Sequence, residues 1–222
     1  MLYGLVESGY NATYIGGSNS YVRKERAVRF VEPIRDRDTL TAVKTWLRSR
    51  SLRDWALFVA GINFALRIQD LLDLKVGDVL NGTGIRETFS VQQGKTGRAV
   101  RVHVPPNARA ALSEYLSEKH PAPEDHEAPL FPSRKRAADG KLNPVSRFQA
   151  YRILNSAVRQ FEPDLAVGTH TLRKTWGWFA FDSGQPLEVI MHKLGHQSPA
   201  ATLRYLGIRD DDVKRATETL NL

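Results

Sequence analysis

Apolar residues recur at helical spacing along most of this chain. In the segment Thr39–Arg50 they fall on one face, and Asp38 before it can cap the helix that this spacing predicts. Ser51 then begins a capping-box pattern, and the residues that follow it through Ala65 are too uniformly apolar for a surface helix. We therefore expect that second helix to lie at the centre of the fold.

Further helical segments follow, several of them ended by a glycine. They are predicted at Gln69–Leu74, Ala108–Lys119, Pro144–Phe161, Leu172–Ser183, Pro186–Leu194, Pro199–Leu206 and Asp210–Leu220. The last of these is amphipathic, with Val213, Ala216 and Leu220 in line. It would form a tail over residues 210–222.

Strand-like alternation is confined to residues 85–104. Apolar residues alternate on both sides of a glycine-bounded turn at Gly94–Gly97, which predicts an antiparallel hairpin. The stretch His120–Asn143 is rich in proline, charge and small residues, so we predict a loop there. The pattern as a whole predicts an α+β fold that is mainly α-helical, with a helical core and a small antiparallel β-sheet.

Composition and charge indicate which classes of binding partner are favoured. The chain has 222 residues, 41% of them hydrophobic, a net charge of +8 and a pI near 9.8. That charge favours a polyanion, with nucleic acid ahead of an anionic membrane surface. The absence of cysteine excludes disulfides, thiolate metal sites and cysteine nucleophiles. No long apolar run or signal peptide is evident, so we expect a soluble, cytoplasmic protein.

The sequence pattern divides the chain into a short N-terminal segment and one long domain. Residues 1–35 show little periodicity and include a basic run, which predicts a linker or a solvated arm rather than a second domain. Residues 36–222 are predicted to form one domain.

Two arginines and a histidine suggest an anion site. His170 and Arg173 lie one turn apart at the start of a predicted helix, so both can approach one anion at the helix N-terminus. Arg67 follows a buried helix and needs a partner or a ligand. Asp70, three residues later, can brace Arg67. Taken singly, each is more often a surface charge, a capping residue or an ordinary ion pair.

A tyrosine and a lysine extend the set. Tyr205 stands nine residues after His196, on a short predicted helix. A phenol with a pKa near 10 needs a base and nearby cations to act as a nucleophile. A lone tyrosine here is usually a packing residue. Lys95, in the glycine-rich turn, is either an ordinary solvent-facing residue or a mobile cation that can protonate a leaving oxygen.

A metal site at the second histidine pair is disfavoured. His192 and His196 have the spacing of metal ligands, but Lys193 stands where a zinc protease has glutamate, and Gly195 ends the helix. We expect His196 to face the site and His192 to pack elsewhere, with no metal or cofactor.

As an ordered set these residues resemble the signature of the tyrosine recombinases, the phage-integrase family. The matching positions are Arg67 with Asp70, Lys95, His170-x-x-Arg173, Leu194-Gly195-His196 and Tyr205. The resemblance covers about residues 36–222, the family's C-terminal catalytic domain. It implies the integrase catalytic-domain fold, double-stranded DNA as substrate, and cleavage through a 3′-phosphotyrosyl intermediate without a metal.

The resemblance also implies roles. Arg67, Arg173 and His196 would bind and stabilise the scissile phosphate, and His170 would take the proton from Tyr205. Lys95 would protonate the 5′-oxygen, and Asp70 would support the arrangement. Assembly as a tetramer on DNA, through the tail, is implied as well, with a monomer expected in free solution.

Alternatives remain open from sequence. A type IB topoisomerase uses the same chemistry, and a catalytically silent DNA-binding module would share the fold. Family members usually carry an N-terminal helical DNA-binding domain, which residues 1–35 cannot supply, so we expect either a catalytic fragment or an unusually short protein.

Overall fold

The structure, a computed structural model, describes residues 30–82, 84–95, 97–118, 122–208 and 210–221. The predicted basic arm falls almost wholly outside the described residues. The chain separates into the units Met1–Phe30 and Val31–Leu222. Every element below belongs to the second unit.

The described residues form ten helices and six short strands. The helices are α1 (Arg37–Arg48), α2 (Leu52–Phe64), α3 (Ile68–Leu72), α4 (Val76–Val79), α5 (Pro106–Ser117), α6 (Arg147–Val158), α7 (Thr171–Asp182), α8 (Leu187–Leu194), α9 (Pro199–Leu206) and α10 (Asp210–Leu220). The strands are β1 (Leu80–Asn81), β2 (Gly84–Ile85), β3 (Thr88–Gln92), β4 (Ala99–His103), β5 (Pro132–Arg136) and β6 (Leu142–Pro144). The mainly helical fold with antiparallel β-structure is as predicted.

The first two helices begin at side-chain caps. Asp36, rather than the predicted Asp38, caps α1 by accepting the Thr39 backbone N–H at 2.6 Å. Asp38 lies instead in the first turn, where its carboxylate favours the helix dipole. Ser51 caps α2 as predicted, accepting the N–H of Asp54.

Helix α2 occupies the centre of the main core. It packs against α1, α5 and α7, and Leu57, Phe58 and Phe64 on it are fully buried. A Cβ at Gly61 would collide with Leu172 of α7, so this glycine allows the two helices to approach closely. The uniformly apolar sequence of α2 is therefore explained by burial on several sides.

The β-structure consists, within the described residues, of three separate two-stranded antiparallel sheets. The predicted hairpin is confirmed as β3 and β4, with Thr88 opposite His103 and Gln92 opposite Ala99. The predicted loop His120–Asn143 is wrong in part, because β5 and β6 pair within it. Most of β5 is charged and exposed, so its strands lack the apolar alternation that would have predicted them.

Helices α8 and α9 pack on a second, smaller apolar cluster. Its buried members are Ala65, Ile190, Leu194 and Leu206. Gly177 of α7 lets Leu206 approach, since a Cβ there would lie 2.6 Å from the leucine Cδ2. The contact holds α9, the helix that carries Tyr205, close to α7.

Candidate active site

Arg67 is placed by the end of α2. Ala65 adopts a left-handed conformation, with φ 54°, as the C-cap of that helix. This conformation is unfavourable for a residue with a Cβ, and it turns the chain sharply. Arg67 is the N-cap residue directly before α3, and its side chain is half-buried at the edge of a cleft.

Arg67 is held by two side chains. Its Nη1 donates to Oε1 of Gln93 at 2.6 Å and lies 3.9 Å from Oδ2 of Asp70. Gln93 is almost fully buried, at 6% exposure, although it follows the exposed end of β3. The pair therefore fixes the direction of the guanidinium.

Asp70 links Arg67 to the hairpin turn. Its carboxylate is buried, and its Oδ1 accepts the backbone N–H of Gly94 at 3.1 Å. Lys95 comes next in the chain and is exposed. Asp70 thus anchors the turn on which Lys95 stands, without contacting the lysine itself.

Arg173 is buried and bonded to two backbone carbonyls. Only 4% exposed, it donates from Nη1 to the carbonyl oxygen of Ala65 at 2.6 Å and from Nη2 to that of Leu194. These carbonyls close α2 and α8, where backbone acceptors lack helical partners. The guanidinium therefore ties the two helix ends together and keeps its charge inside the site.

His170 stands directly before α7, one turn from Arg173. Burial, followed by the positive charges of Arg173, Arg147, Lys174 and Arg67, lowers the pKa of His170 to about 4. The ring is consequently neutral at pH 7 and able to accept a proton. Its centroid lies 6.4 Å from that of the Tyr205 ring, edge to face.

His196 lies closer to the tyrosine. Its ring centroid is 4.9 Å from that of Tyr205, with the planes at 84°. Gly195, at φ 61°, ends α8 and turns the chain so that His196 faces α9. Nδ1 lies 3.2 Å from the hydroxyl oxygen of Thr202. Burial, and then the charges of Arg173 and Arg67, lower the pKa of His196.

Tyr205 is enclosed by cations and rings. Its Oη is buried and, among the described residues, makes no hydrogen bond of good geometry. Burial raises the pKa of Tyr205 to about 12, against the opposing effect of the Arg173 and Arg67 guanidiniums. The ammonium of Lys174 lies 4.9 Å from the ring centroid. The phenol is thus protonated at neutral pH and surrounded by groups that favour its anion.

The structure therefore gathers most of the residues predicted from sequence. Arg67 and Asp70 form one linked group. A second group consists of His170, Arg173, His196 and Tyr205. The charges of Arg67 and Arg173 both act to lower the pKa of Tyr205 in this second group. Within the described residues, Lys95 is the predicted member whose side chain stands exposed and outside both groups. His192 lines the neighbouring cleft rather than contacting the tyrosine.

Three further residues contact the site and were not predicted from the sequence. Gln93 holds Arg67, Thr202 contacts His196, and Lys174 lies over the Tyr205 ring. Strand parity could have found Gln93, since it shares a face with Phe89 of the hairpin. Thr202 and Lys174 carried no pattern of their own.

A wide basic cleft adjoins the site. Its volume is about 1220 Å³, and five cationic side chains are among its lining residues: Arg67, Arg98, Arg101, Arg109 and Lys193. No group of three or more histidine, aspartate or glutamate side chains in the described part of the chain is arranged to hold a metal ion. No described helix combines the length and apolarity needed to cross a membrane.

The sequence of the chain is similar to those of known proteins. The model of the phage integrase family matches residues 24–211. The chain is 34% identical over 189 residues to the probable integrase/recombinase YoeC of Bacillus subtilis, covering 85% of this chain and 96% of that protein. It is 26% identical over 166 residues to the tyrosine recombinase XerD of Corynebacterium glutamicum, covering 73% of this chain and 51% of that protein.

Solved structures show the same fold. The crystal structure of XerA recombinase superposes with a TM-score of 0.67 at 18% identity, over 86% of this chain and 65% of that one. XerH recombinase, in a post-cleavage complex with a palindromic difH substrate, gives a TM-score of 0.62 at 18% identity, over 89% of this chain and 55% of that one. The chain thus spans nearly all of YoeC but only about half of XerD.

Proposed function

The chain belongs to the phage integrase family of tyrosine recombinases, and we propose that it cleaves and rejoins double-stranded DNA through a covalent bond between Tyr205 and a 3′-phosphate. The observation that carries this proposal is the enclosure of the Tyr205 phenol by His196, His170 and Arg173. A neutral histidine and fixed guanidiniums are what a phenol requires to attack a phosphodiester.

The scissile phosphate would be bound by Arg67, Arg173 and His196. Arginine forks suit phosphate oxygens, and both guanidiniums are already held in place by protein acceptors. Charges fixed before the reaction stabilise the pentacoordinate phosphorane without reorganisation. Electrostatic stabilisation is therefore the main catalytic effect in this mechanism.

Proton transfer accompanies the attack. The Tyr205 oxygen forms a bond to phosphorus while its proton passes to His170, whose lowered pKa leaves it neutral in the free protein. The bond from phosphorus to the 5′-oxygen breaks, and Lys95 protonates that oxygen. Asp70, through the N–H of Gly94, positions the turn that carries Lys95.

A second DNA strand then reverses the reaction. Its 5′-hydroxyl attacks the phosphotyrosyl bond, which restores a phosphodiester and releases Tyr205. One phosphoester bond is formed for each one broken at both steps, so no nucleotide hydrolysis is required.

DNA would lie along the basic cleft. The cleft is broad, open to the site at Arg67 and rich in arginine, as expected for a surface that contacts phosphates. The net charge of +8 favours the same partner. Topoisomerase activity and a silent binding module are not favoured, since the chain matches integrases and retains every member of the proposed set.

The chemistry is tested with a nicked suicide substrate built from DNA that flanks the gene. Attack next to the nick releases a short strand, which traps the covalent complex. We expect a protein–DNA adduct in excess EDTA, with DNA joined through its 3′-phosphate. An adduct that forms only after Mg²⁺ is added, or that carries a 5′-phosphate, would contradict the mechanism.

Assembly into a tetramer on DNA would use the tail. Helix α10 is tied at its base, where Asp212 pairs with Arg35 at 3.2 Å and Arg215 with Asp182 at 3.2 Å. On the same helix, Val213 and Leu220 take no part in these pairs and are 59% and 66% exposed. So small an apolar stripe is insufficient for a dimer in solution, but high local concentration on DNA would offset its weakness.

Point substitutions test assembly without disturbing the base of the tail. Replacing Val213 and Leu220 with serine should leave single-site cleavage unchanged and abolish strand exchange between two sites. Lys214→Ser, on the same helix, is the matched control and should retain both activities. Exchange at the parent rate in the double variant would rule out this role for the stripe.

A further inference from the structure

We propose that Thr202 is a positioning residue that holds His196 in the tautomer protonated at Nδ1 and so directs Nε2 toward the reacting phosphate. This inference rests on the proposed function for the task of His196, but the tautomer itself is a property of the free protein. Thr202 lies on α9, fully buried, three residues before Tyr205.

The hydrogen-bond pattern around the hydroxyl determines the tautomer. Oγ1 of Thr202 lies 2.9 Å from the carbonyl oxygen of Ser198 and 3.2 Å from Nδ1 of His196. A hydroxyl has a single proton, and a carbonyl oxygen can only accept. The threonine therefore donates to Ser198, and its remaining contact requires Nδ1 of His196 to be the donor.

The opposite arrangement is unfavourable. If the hydroxyl donated to an unprotonated Nδ1, its oxygen and that of Ser198 would be two acceptors 2.9 Å apart with no hydrogen between them. Because the Thr202 side chain is fully buried, water has little access to relieve that contact. The geometry assigns the Nδ1 proton to His196.

The tautomer has a chemical consequence. Because Nδ1 is hydrogen-bonded to Thr202, Nε2 is the ring nitrogen that can contact the substrate. Nε2 is a hydrogen-bond acceptor in the neutral ring and a donor in the imidazolium. His196 would therefore donate to a phosphate oxygen through Nε2 as the imidazolium, a form that the negative charge of the phosphate favours although burial lowers the pKa of His196 in the free protein. A ring released from Thr202 could adopt the other tautomer and rotate away from the phosphate.

Thr202 also couples two parts of the site. It stands one helical turn before Tyr205, so the hydroxyl that orients His196 moves with the helix that carries the nucleophile. The His196 and Tyr205 rings then keep their edge-to-face contact at 4.9 Å when α9 shifts. Thr202 would thus keep His196 and Tyr205 in a constant relative position, which favours a reaction that requires both to be aligned with the phosphate.

Nitrogen-15 NMR of the histidine rings in the DNA-free protein tests the tautomer directly. In the wild type we expect His196, identified by its loss in His196→Gln, to be protonated at Nδ1 and not at Nε2. Thr202→Val removes the hydroxyl and keeps the shape, and it should abolish this preference. Thr202→Ser keeps the hydroxyl and should restore it.

Adduct formation on the suicide substrate is the second readout. Loss of one orienting hydrogen bond predicts a rate about three- to tenfold lower in Thr202→Val, with Thr202→Ser close to the wild type. Thr175→Val is the control, since it removes another buried hydroxyl, which accepts the N–H of Ile34 at 2.9 Å. It should lower stability while leaving the His196 tautomer unchanged.

Several outcomes would overturn the proposal. They are a wild-type His196 protonated at Nε2, a Thr202→Val spectrum unchanged from the wild type, or a changed tautomer with an unchanged rate. The wild-type spectrum needs no variant, so misfolding of Thr202→Val cannot obscure it. If the wild type forms no adduct at all, the proposed function fails, whereas the spectrum still decides the tautomer.

Discussion

The two apolar clusters of the domain differ in size and in what they carry. The main core runs from α1 through α7, and Arg67 immediately precedes α3, a helix embedded in that core through Leu71 and Leu72. The smaller cluster has four buried residues and holds α8 and α9, with His196 at the end of one helix and Tyr205 on the other. The two arginines proposed to bind the phosphate therefore stand on the larger support, and the proposed nucleophile stands with His196 on the smaller.

Arg173 joins these two supports. Its helix packs on the main core, while its guanidinium bonds the last residues of α2 and α8. A helix packed on a small apolar cluster can shift more easily than one in a large core, so a nucleophile on it can approach a bound phosphate and move back. A buried contact such as that of Arg173 would keep the nucleophile aligned during this motion. The comparison thus predicts that Arg173 matters for alignment as well as for charge.

The largest expected effect comes from Arg173→Lys. Lysine keeps the charge but cannot bond two carbonyls and a phosphate as a planar fork does. We expect adduct formation to slow by about 10²- to 10³-fold, comparable to the loss of one preorganised donor. Single-turnover rates on the suicide substrate measure this. Arg48→Lys, at an exposed pair with Glu114, is the control and should be silent. A decrease of less than tenfold in the rate of adduct formation would refute this role of Arg173.

Leucine truncations compare the two clusters. Leu57→Ala, in the main core, should cost about 3–5 kcal/mol in the free energy of unfolding. Leu206→Ala should cost about 2 kcal/mol, since the partly buried residues around the small cluster can collapse into the space. Denaturant titration gives both values, and hydrogen exchange should show faster opening of α8 and α9 in Leu206→Ala alone. Equal costs with uniform exchange would contradict two separate supports.

A smaller effect is expected from pH. The pKa of His170 is lowered to about 4 in the folded protein, so between pH 4 and 6.5 the unfolded chain binds a proton that the folded chain does not. Stability should therefore fall as the pH is lowered through that window. His170→Gln should weaken this dependence, with part retained because burial also lowers the pKa of His196. Melting temperatures from pH 4 to 7 measure it, with the exposed His126→Gln as control. An unchanged slope in His170→Gln would show that the ring is not buried as described.

Much of the fold could be predicted from sequence, because helical periodicity and capping are local. The segment Pro199–Leu206 was predicted with its observed ends, since Ser198-Pro199 and Gly207 punctuate it clearly. The β5–β6 hairpin could not be predicted, because β5 is largely charged, β6 has only three residues, and neither strand shows apolar alternation. The cap at Asp36 was missed because Asp36 and Asp38 have the same chemistry two residues apart.

The site divides in the same way. A family pattern identified the main candidate residues, and the fold brings them together over long sequence separations. They are Arg67, His170, Arg173, His196 and Tyr205. Thr202 contacts His196 and no local signal marks it, whereas strand parity places Gln93, which contacts Arg67, on the buried face of the hairpin. Such supporting residues depend on tertiary packing, which periodicity does not report.

The most direct measurement of the central claim compares two tyrosines on the suicide substrate. Tyr205→Phe removes the phenol oxygen that is proposed to attack phosphorus, whereas Tyr151→Phe removes one on α6 that accepts a hydrogen bond from Asn155. We predict that Tyr205→Phe binds DNA as the wild type does but forms no covalent adduct, while Tyr151→Phe forms it at the wild-type rate. A normal adduct yield in Tyr205→Phe would contradict the assignment of the nucleophile and, with it, the mechanism.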